Sequence, residues 1–152
     1  MANQRDLPHV GWREWLALPI LGVQRIKAKI DTGARTSALH AFGIEVEQRG
    51  MQEWVRFAIH PFQRDDSYAI QVEYPVAEYR IVRSSNGVES RRPVIVTDIC
   101  LGRFRWTTEL TLADRDAMGF RMLLGRSAVR GLFLVDPGRS FLKARKGSRH
   151  SQ

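Results

Sequence analysis

The residues best suited to chemistry are Asp31 and its neighbours in the stretch Ile30-Asp31-Thr32-Gly33-Ala34. A carboxylate followed by a small hydroxyl residue and glycine fits a tight turn at the end of a strand. Gly33 lets the backbone approach closely and adopt conformations that other residues resist. Thr32 offers a hydroxyl that can hold the loop rigid. One carboxylate in such a loop activates water poorly, whereas two can share the work. When two carboxyl groups sit about 3 Å apart they cannot both ionise, so they hold one proton between them. One then serves as general base toward water and the other as general acid toward a carbonyl.

The chain contains no second Asp-[Thr/Ser]-Gly. Asp65-Asp66-Ser67 lacks the glycine, and Asp136-Pro137-Gly138 has proline in the hydroxyl position. Asp114 and Asp116 fall in a segment read as a helical turn. If Asp31 is half of a site, the other half comes from a second copy of the chain across a two-fold axis. The expected partners are therefore a homodimeric mate and a peptide or protein substrate. The alternative for the tripeptide taken alone is an ordinary turn.

Other chemistries have less support. The four histidines are His9, His40, His60 and His150. There is no H-E-x-x-H, and no two histidines stand within a helical turn of each other. A zinc hydrolase needs three protein ligands and an open position. His40 and His60 with distant acids are the remaining candidates, and a structural role suits His40 better. The phosphate-cradling pattern GxxxxGK[ST] is absent, so no metal and no cofactor is expected. Cys100 is the single cysteine, which excludes a disulfide within the chain. Between Ile99 and Leu101 it reads as a small core residue.

The chain has 152 residues, a net charge of +8 and 43% hydrophobic residues. That length suits one domain with a real core. The charge favours polyanions or acidic substrates, but part of it is local. Lys143, Arg145, Lys146, Arg149 and His150 crowd the end of the chain without an acid. We therefore expect one domain over 1–142 and a basic, disordered tail over 143–152. The apolar run Trp15–Val23 holds Pro19 and Gly22 and is too short to span a bilayer. A cytoplasmic protein without a membrane segment is the expectation, and nucleic acid is the weaker candidate partner.

The elements that would position Asp31 are short alternating runs rich in β-formers. "RIKAKID" alternates Ile26, Ala28 and Ile30 with basic residues. "GIEVEQ", "EWVRFAIHP" and "YAIQVEYPV" repeat the pattern. Arms at Tyr79–Arg83 and Val94–Val96 flank a polar tip in which Asn86-Gly87 is a strong hairpin signal. A second hairpin is expected to turn at Gly102-Arg103. "TLADRDAMGF" reads as a turn of helix. Met122–Leu124 reads as a strand, followed by a short helix over Arg126–Arg130 that stops at Gly131. "LFLVDP" closes the series. This pattern predicts an all-β fold, a closed or nearly closed barrel with one short helix.

"IDTGA", the projecting hairpin and "MLLGR" ahead of a short helix together resemble the retropepsins, the retroviral-type aspartic peptidases. The resemblance implies an acid-protease barrel with a flap. Asp31 would be catalytic, Thr32 would bond across the dimer axis, and Gly33 and Ala34 would line the site. Leu123, Leu124, Gly125 and Arg126 would brace the catalytic loop, and Ser84, Ser85, Asn86 and Gly87 would form the flap tip. Arg35 departs from the pattern, since many retroviral enzymes carry an acid there. A base at that position either favours the ionised carboxylate or recruits acidic substrate residues.

A closer resemblance covers almost the whole chain. "LPILGVQRIKAKIDTGARTSALHA", "RPVIVTDICLG", "TLADRDAMGFRMLLGR" and "FLVDPGRSFL" are similar to a bacterial family that carries the name ATP-dependent zinc protease and is also described as retropepsin-like. Some members are encoded beside a glutamate ligase that modifies a ribosomal protein. The resemblance implies an aspartic endopeptidase. The residues support neither the zinc nor the ATP of the name. A non-catalytic dimeric module that binds RNA, a ribosomal protein or acidic peptides on the same scaffold is the alternative.

Overall fold

The computed structural model describes residues 6–62, 65–83, 86–114 and 119–143. In chain order the strands are β1 (His9–Gly11), β2 (Arg13–Leu18), β3 (Val23–Asp31), β4 (Ser37–His40), β5 (Phe42–Arg49), β6 (Gln52–Ile59), β7 (Ile70–Pro75), β8 (Glu78–Arg83), β9 (Glu89–Leu101), β10 (Phe104–Ala113), β11 (Met122–Gly125) and β12 (Leu134–Asp136). One short helix, α1 (Arg126–Val129), follows β11 directly.

Six strands close a barrel in the order β2-β3-β11-β4-β10-β9, because β9 pairs with both β10 and β2. Strand β11 runs parallel to β3 and antiparallel to β4, which in turn runs parallel to β10. The period-2 pattern explains which faces turn inward. Along β3, Ile26, Ala28 and Ile30 are buried while Arg25, Lys27 and Lys29 look outward. Leu16, Leu18, Leu39, Ile95, Ile99, Leu101, Leu110, Leu112 and Met122 fill the interior. The fold is thus the closed barrel with one short helix that the alternating runs imply.

The hairpin β8–β9 extends from this barrel. Strand β8 pairs with β9 from Glu78↔Val94 to Arg83↔Glu89, and β9, 13 residues long in all, runs on into the barrel wall. Asn86 and Gly87 lie at its tip, with Gly87 at φ 85°. Ser84 and Ser85 lie outside the described residues. The strands pair as far as Arg83↔Glu89, so the connection is longer than a two-residue Asn-Gly turn.

Three expectations differ in detail. Strands β5, β6 and β7 form a separate three-stranded sheet beside the barrel. As an outer strand, β5 leaves Val46 42% exposed despite its alternating sequence. Thr111, Leu112 and Ala113 belong to β10, not to a helical turn, because they pair with Ala38, Leu39 and His40 of β4. The rest of that predicted turn, 115–118, lies outside the described residues, as does the basic tail from 144 onward. Gly102, at φ 60°, makes the β9–β10 turn where the sequence places it.

The end of the described chain straps across β1 and β2. Trp12 N–H donates to Arg139 O and Phe141 N–H to Arg13 O. Gly11 is obligatory here, since a Cβ would lie 2.3 Å from Arg139 O. The Glu14 carboxylate, fully buried, accepts from the N–H groups of Gly11 (2.6 Å), Leu142 (2.8 Å) and Lys143 (3.1 Å).

Candidate active site

Asp31 is the last residue of β3 and sits beside Gly125, the last residue of the parallel strand β11. Its side chain is 29% exposed at the mouth of the loop. The Gly33 N–H donates to Asp31 Oδ1 at 2.9 Å, and the Ala34 N–H donates to Asp31 O at 3.2 Å. The carboxylate is therefore oriented by its own turn, the local economy that Asp-Thr-Gly permits. On the other oxygen, Lys29 Nζ lies 4.0 Å from Oδ2. Residues two apart on a strand share a face, which is why Lys29 can reach Asp31.

The loop after Asp31 is stitched to the segment after β11. Arg126 N–H donates to Ala34 O at 2.8 Å, and Ser127 N–H to Arg35 O at 3.1 Å. The buried Ser37 hydroxyl accepts from Gly125 N–H at 3.0 Å. The Arg126 guanidinium donates to the carbonyls of Thr32 and Gly33, each at 3.3 Å. Gly125 must be glycine, because a Cβ there would stand 2.5 Å from Thr36 O. Leu124 is fully buried beneath the loop and Leu123 half-buried. Thr32, Gly33 and Arg35 are exposed.

The structure thus brings Asp31, Thr32, Gly33, Ala34 and Arg35 together with Gly125 and Arg126 in one backbone-bonded unit. Asn86 and Gly87 stand apart, at the end of the β8–β9 hairpin. Two residues of the unit escape a reading by motif: Lys29 and Ser37. Strand alternation carries the signal for Lys29, since it sits two residues before Asp31. Nothing local marks Ser37, whose partner is 88 positions away.

His40, the last residue of β4, and His60 share a neighbour in Phe42. Both rings contact Phe42, with centroids 4.2 and 4.0 Å away. Asp66 Oδ1 lies 4.0 Å from His60 Nδ1, but it also accepts a 2.6 Å bond from the buried Arg121, whose guanidinium reaches His40 Nδ1 at 3.3 Å. A guanidinium inside the cluster repels a divalent ion and occupies the carboxylate. Among the described residues no group of three potential ligands converges on a metal position. The residues do not fit the zinc of the family name noted above. No helix among the described residues is long and apolar enough to cross a membrane.

The chain is 52% identical over 128 residues to a Parasynechococcus marenigrum protein named "Probable alpha-L-glutamate ligase", a match covering 84% of this chain and 28% of that protein. A Shewanella pealeana protein of the same name is 46% identical over 138 residues, covering 91% and 30%. The chain therefore spans less than a third of the length of these relatives. The crystal structure of Lpg0085 from Legionella pneumophila, a protein of unknown function, superimposes with a TM-score of 0.72 at 25% identity, covering 90% of this chain and 98% of that one. The profile of the RimB-like family, described as "Retropepsin-like aspartic endopeptidase RimB", matches residues 9–146. The chain belongs to that RimB-like, retropepsin-like family.

Proposed function

We propose that the protein is an aspartic endopeptidase of retropepsin type, in which two Asp31 carboxylates from a homodimer activate one water. The observation that carries this reading is the loop itself. A single, partly exposed carboxylate is held by the Gly33 N–H at a strand end, in a loop braced by Gly125 and Arg126, and has no carboxylate mate in its own motif. In the dimer the two carboxylates would share a proton. The unprotonated one takes a proton from water as its oxygen adds to the peptide carbonyl carbon, and the shared proton passes to the carbonyl oxygen. Collapse of the tetrahedral intermediate breaks the C–N bond as a carboxyl proton moves to the departing nitrogen.

Thr32, Gly33 and Ala34 would line the cleft, and the β8–β9 hairpin, with Asn86 and Gly87 at its tip, would fold over the substrate as a flap. The net charge of +8 and the exposed Arg35 favour an acidic substrate. The relatives' name, glutamate ligase, makes a glutamate-rich peptide the first substrate to assay.

The test is cleavage of such a peptide by the full chain. Asp31→Asn is expected to abolish cleavage and leave the fold and the dimer intact. Cleavage that survives this change overturns the mechanism. Cleavage lost to a chelator but indifferent to Asp31 favours metal chemistry. Steeply salt-dependent binding of RNA or acidic peptides without any cleavage favours a dimeric binding module on the same scaffold.

A further inference from the structure

The outward face of β2 and β3 gathers cations and aromatic rings from separate parts of the chain. We propose that this face binds single-stranded nucleic acid, with the stacked rings and guanidinium groups taking bases and the cations holding phosphates.

Strand alternation puts Arg13 and Trp15 of β2, and Arg25, Lys27 and Lys29 of β3, on the side away from the core, while Leu16, Ile26, Ala28 and Ile30 between them are buried. In the antiparallel register Arg13 stands opposite Lys29, and Trp15 opposite Lys27. The Arg25 guanidinium lies over Trp15, 4.0 Å from the ring centroid. Phe141, from the strap, stacks on Trp15 with centroids 5.9 Å apart and planes at 18°. Arg13 lies over Phe141 at 5.0 Å and over Trp12 at 4.7 Å. Lys27 Nζ stands 5.9 Å from the Trp15 centroid. The contacts run without a break from Arg25 through Trp15, Phe141 and Arg13 to Trp12.

Trp12, Arg13, Trp15, Arg25, Lys27 and Phe141 are all half-buried, so rings and cations alike reach solvent. Of the outward positions on the two strands one is an acid, Asp31, at the far end of β3. Phe141 stands at φ 56°, a backbone value that is costly for a bulky residue, and among the described residues it is the one non-glycine residue so placed. Packing of the strap accounts for the Trp15–Phe141 pair, but it does not call for a guanidinium laid over Trp15 as well. A guanidinium on an indole presents a planar, cationic surface on which a base stacks. An acidic peptide would use the cations and leave the rings idle, whereas a polynucleotide strand uses both. The net charge of +8 supplies the long-range attraction. From Arg25 to Lys29 the strand rises about 13 Å, enough to follow a backbone past more than one phosphate.

The experiment is titration of the full chain with a fluorescent single-stranded oligonucleotide of mixed sequence, about twelve nucleotides long, made as RNA and as DNA, over a range of salt. Replacing both Arg25 and Lys27 by Gln removes two phosphate contacts. It should weaken binding and flatten the slope of log K against log salt by about 1.4. Trp15→Leu removes a ring and no charge, so it should weaken binding about tenfold and leave the slope unchanged. Arg56→Gln takes an exposed cation from β6 and should change Kd by less than about twofold. A glutamate homopolymer of equal charge should displace the oligonucleotide poorly.

These responses with either strand support the inference, and a preference between the RNA and the DNA names the strand. Binding that ignores Trp15→Leu and is displaced as well by the glutamate polymer overturns it, since the face is then a general polyanion surface. Binding unmoved by both the Arg25/Lys27 and the Trp15 variants also overturns it, because the strand is then held elsewhere on the chain. Thermal unfolding checks each variant. Should Trp15→Leu fail to fold, the solvent-facing Arg25/Lys27 pair and the competitor decide the matter. The inference does not rest on Asp31, so peptide cleavage tests the endopeptidase reading separately.

Discussion

Gly125→Ala tests the bracing of the Asp31 loop most directly. The added Cβ would stand 2.5 Å from Thr36 O, 2.6 Å from Thr36 C and 2.9 Å from Thr36 N, and ordinary contact begins at 3.4 Å. The obstructing atoms are backbone, so no side chain can swing aside. Gly125 of β11 and the Thr36 backbone, in the loop just ahead of β4, must part by about 0.9 Å, the step from 2.5 Å to 3.4 Å. Overpacking of this kind costs about 1–3 kcal/mol. The separation also stretches the Gly125–Ser37, Arg126–Ala34 and Ser127–Arg35 bonds, each worth about 0.5–1.5 kcal/mol. A loss of about 3 kcal/mol is the expected total, or a fall in Tm of about 10 °C for a domain of this size. Asp31 lies directly beside Gly125 in the β3–β11 register, so its carboxylate moves with the loop. A displacement of about 1 Å in a reacting group can cost about a hundredfold in rate. Thermal unfolding and peptide cleavage, measured below the lowered Tm, read the two effects separately. A variant that keeps both wild-type Tm and wild-type kcat would refute the claim that this contact sets the geometry of the loop.

Two further perturbations probe the frame around the site. Glu14→Ala leaves the N–H groups of Gly11, Leu142 and Lys143 without their buried carboxylate, and should cost about 3 kcal/mol in urea unfolding while exposing the chain end to proteolysis. Tyr79, at the base of the β8–β9 hairpin, donates to Glu53 Oε2 at 2.8 Å. Burial first, and then the bond to Glu53, raise its phenol above the usual value of 10.0. A raised folded value means the proton is held more tightly when folded, so this contribution is complete below pH 10.0 and is lost as pH rises through the folded value. The stability difference between wild type and Tyr79→Phe, followed by urea unfolding from neutral to strongly alkaline pH, should therefore be constant at first and shrink at the alkaline end.

Much of the frame was legible because a strand writes its face into its sequence. Ile26, Ala28 and Ile30 announce the buried side of β3, and Val55, Phe57 and Ile59 that of β6. Gly102 and Gly131, at positive φ, mark a hairpin turn and the end of the helix. Pairing was less legible. Alternation in "GIEVEQ" is the same whether a strand enters the barrel or an outer sheet, and only the partners of β5 left Val46 exposed. Thr111–Ala113 carry an acidic neighbour that reads as a helix start, yet the β4 edge captured them as strand.

The site divides along the same line. By itself the sequence determined the Asp31 turn, since the donor to its carboxylate is two residues away and the glycine that permits it is in the motif. It also determined that Lys29 would share a face with Asp31, because the β period of two leaves no choice. Only the tertiary structure decided what holds the loop. Ser37 and Gly125, or Thr32 and Arg126, are 88 and 94 positions apart, and they meet because β11 inserts between β3, to which it runs parallel, and β4, to which it runs antiparallel. Local bonds are fixed by the order of residues, whereas contacts between distant strands are fixed by which edges close the barrel.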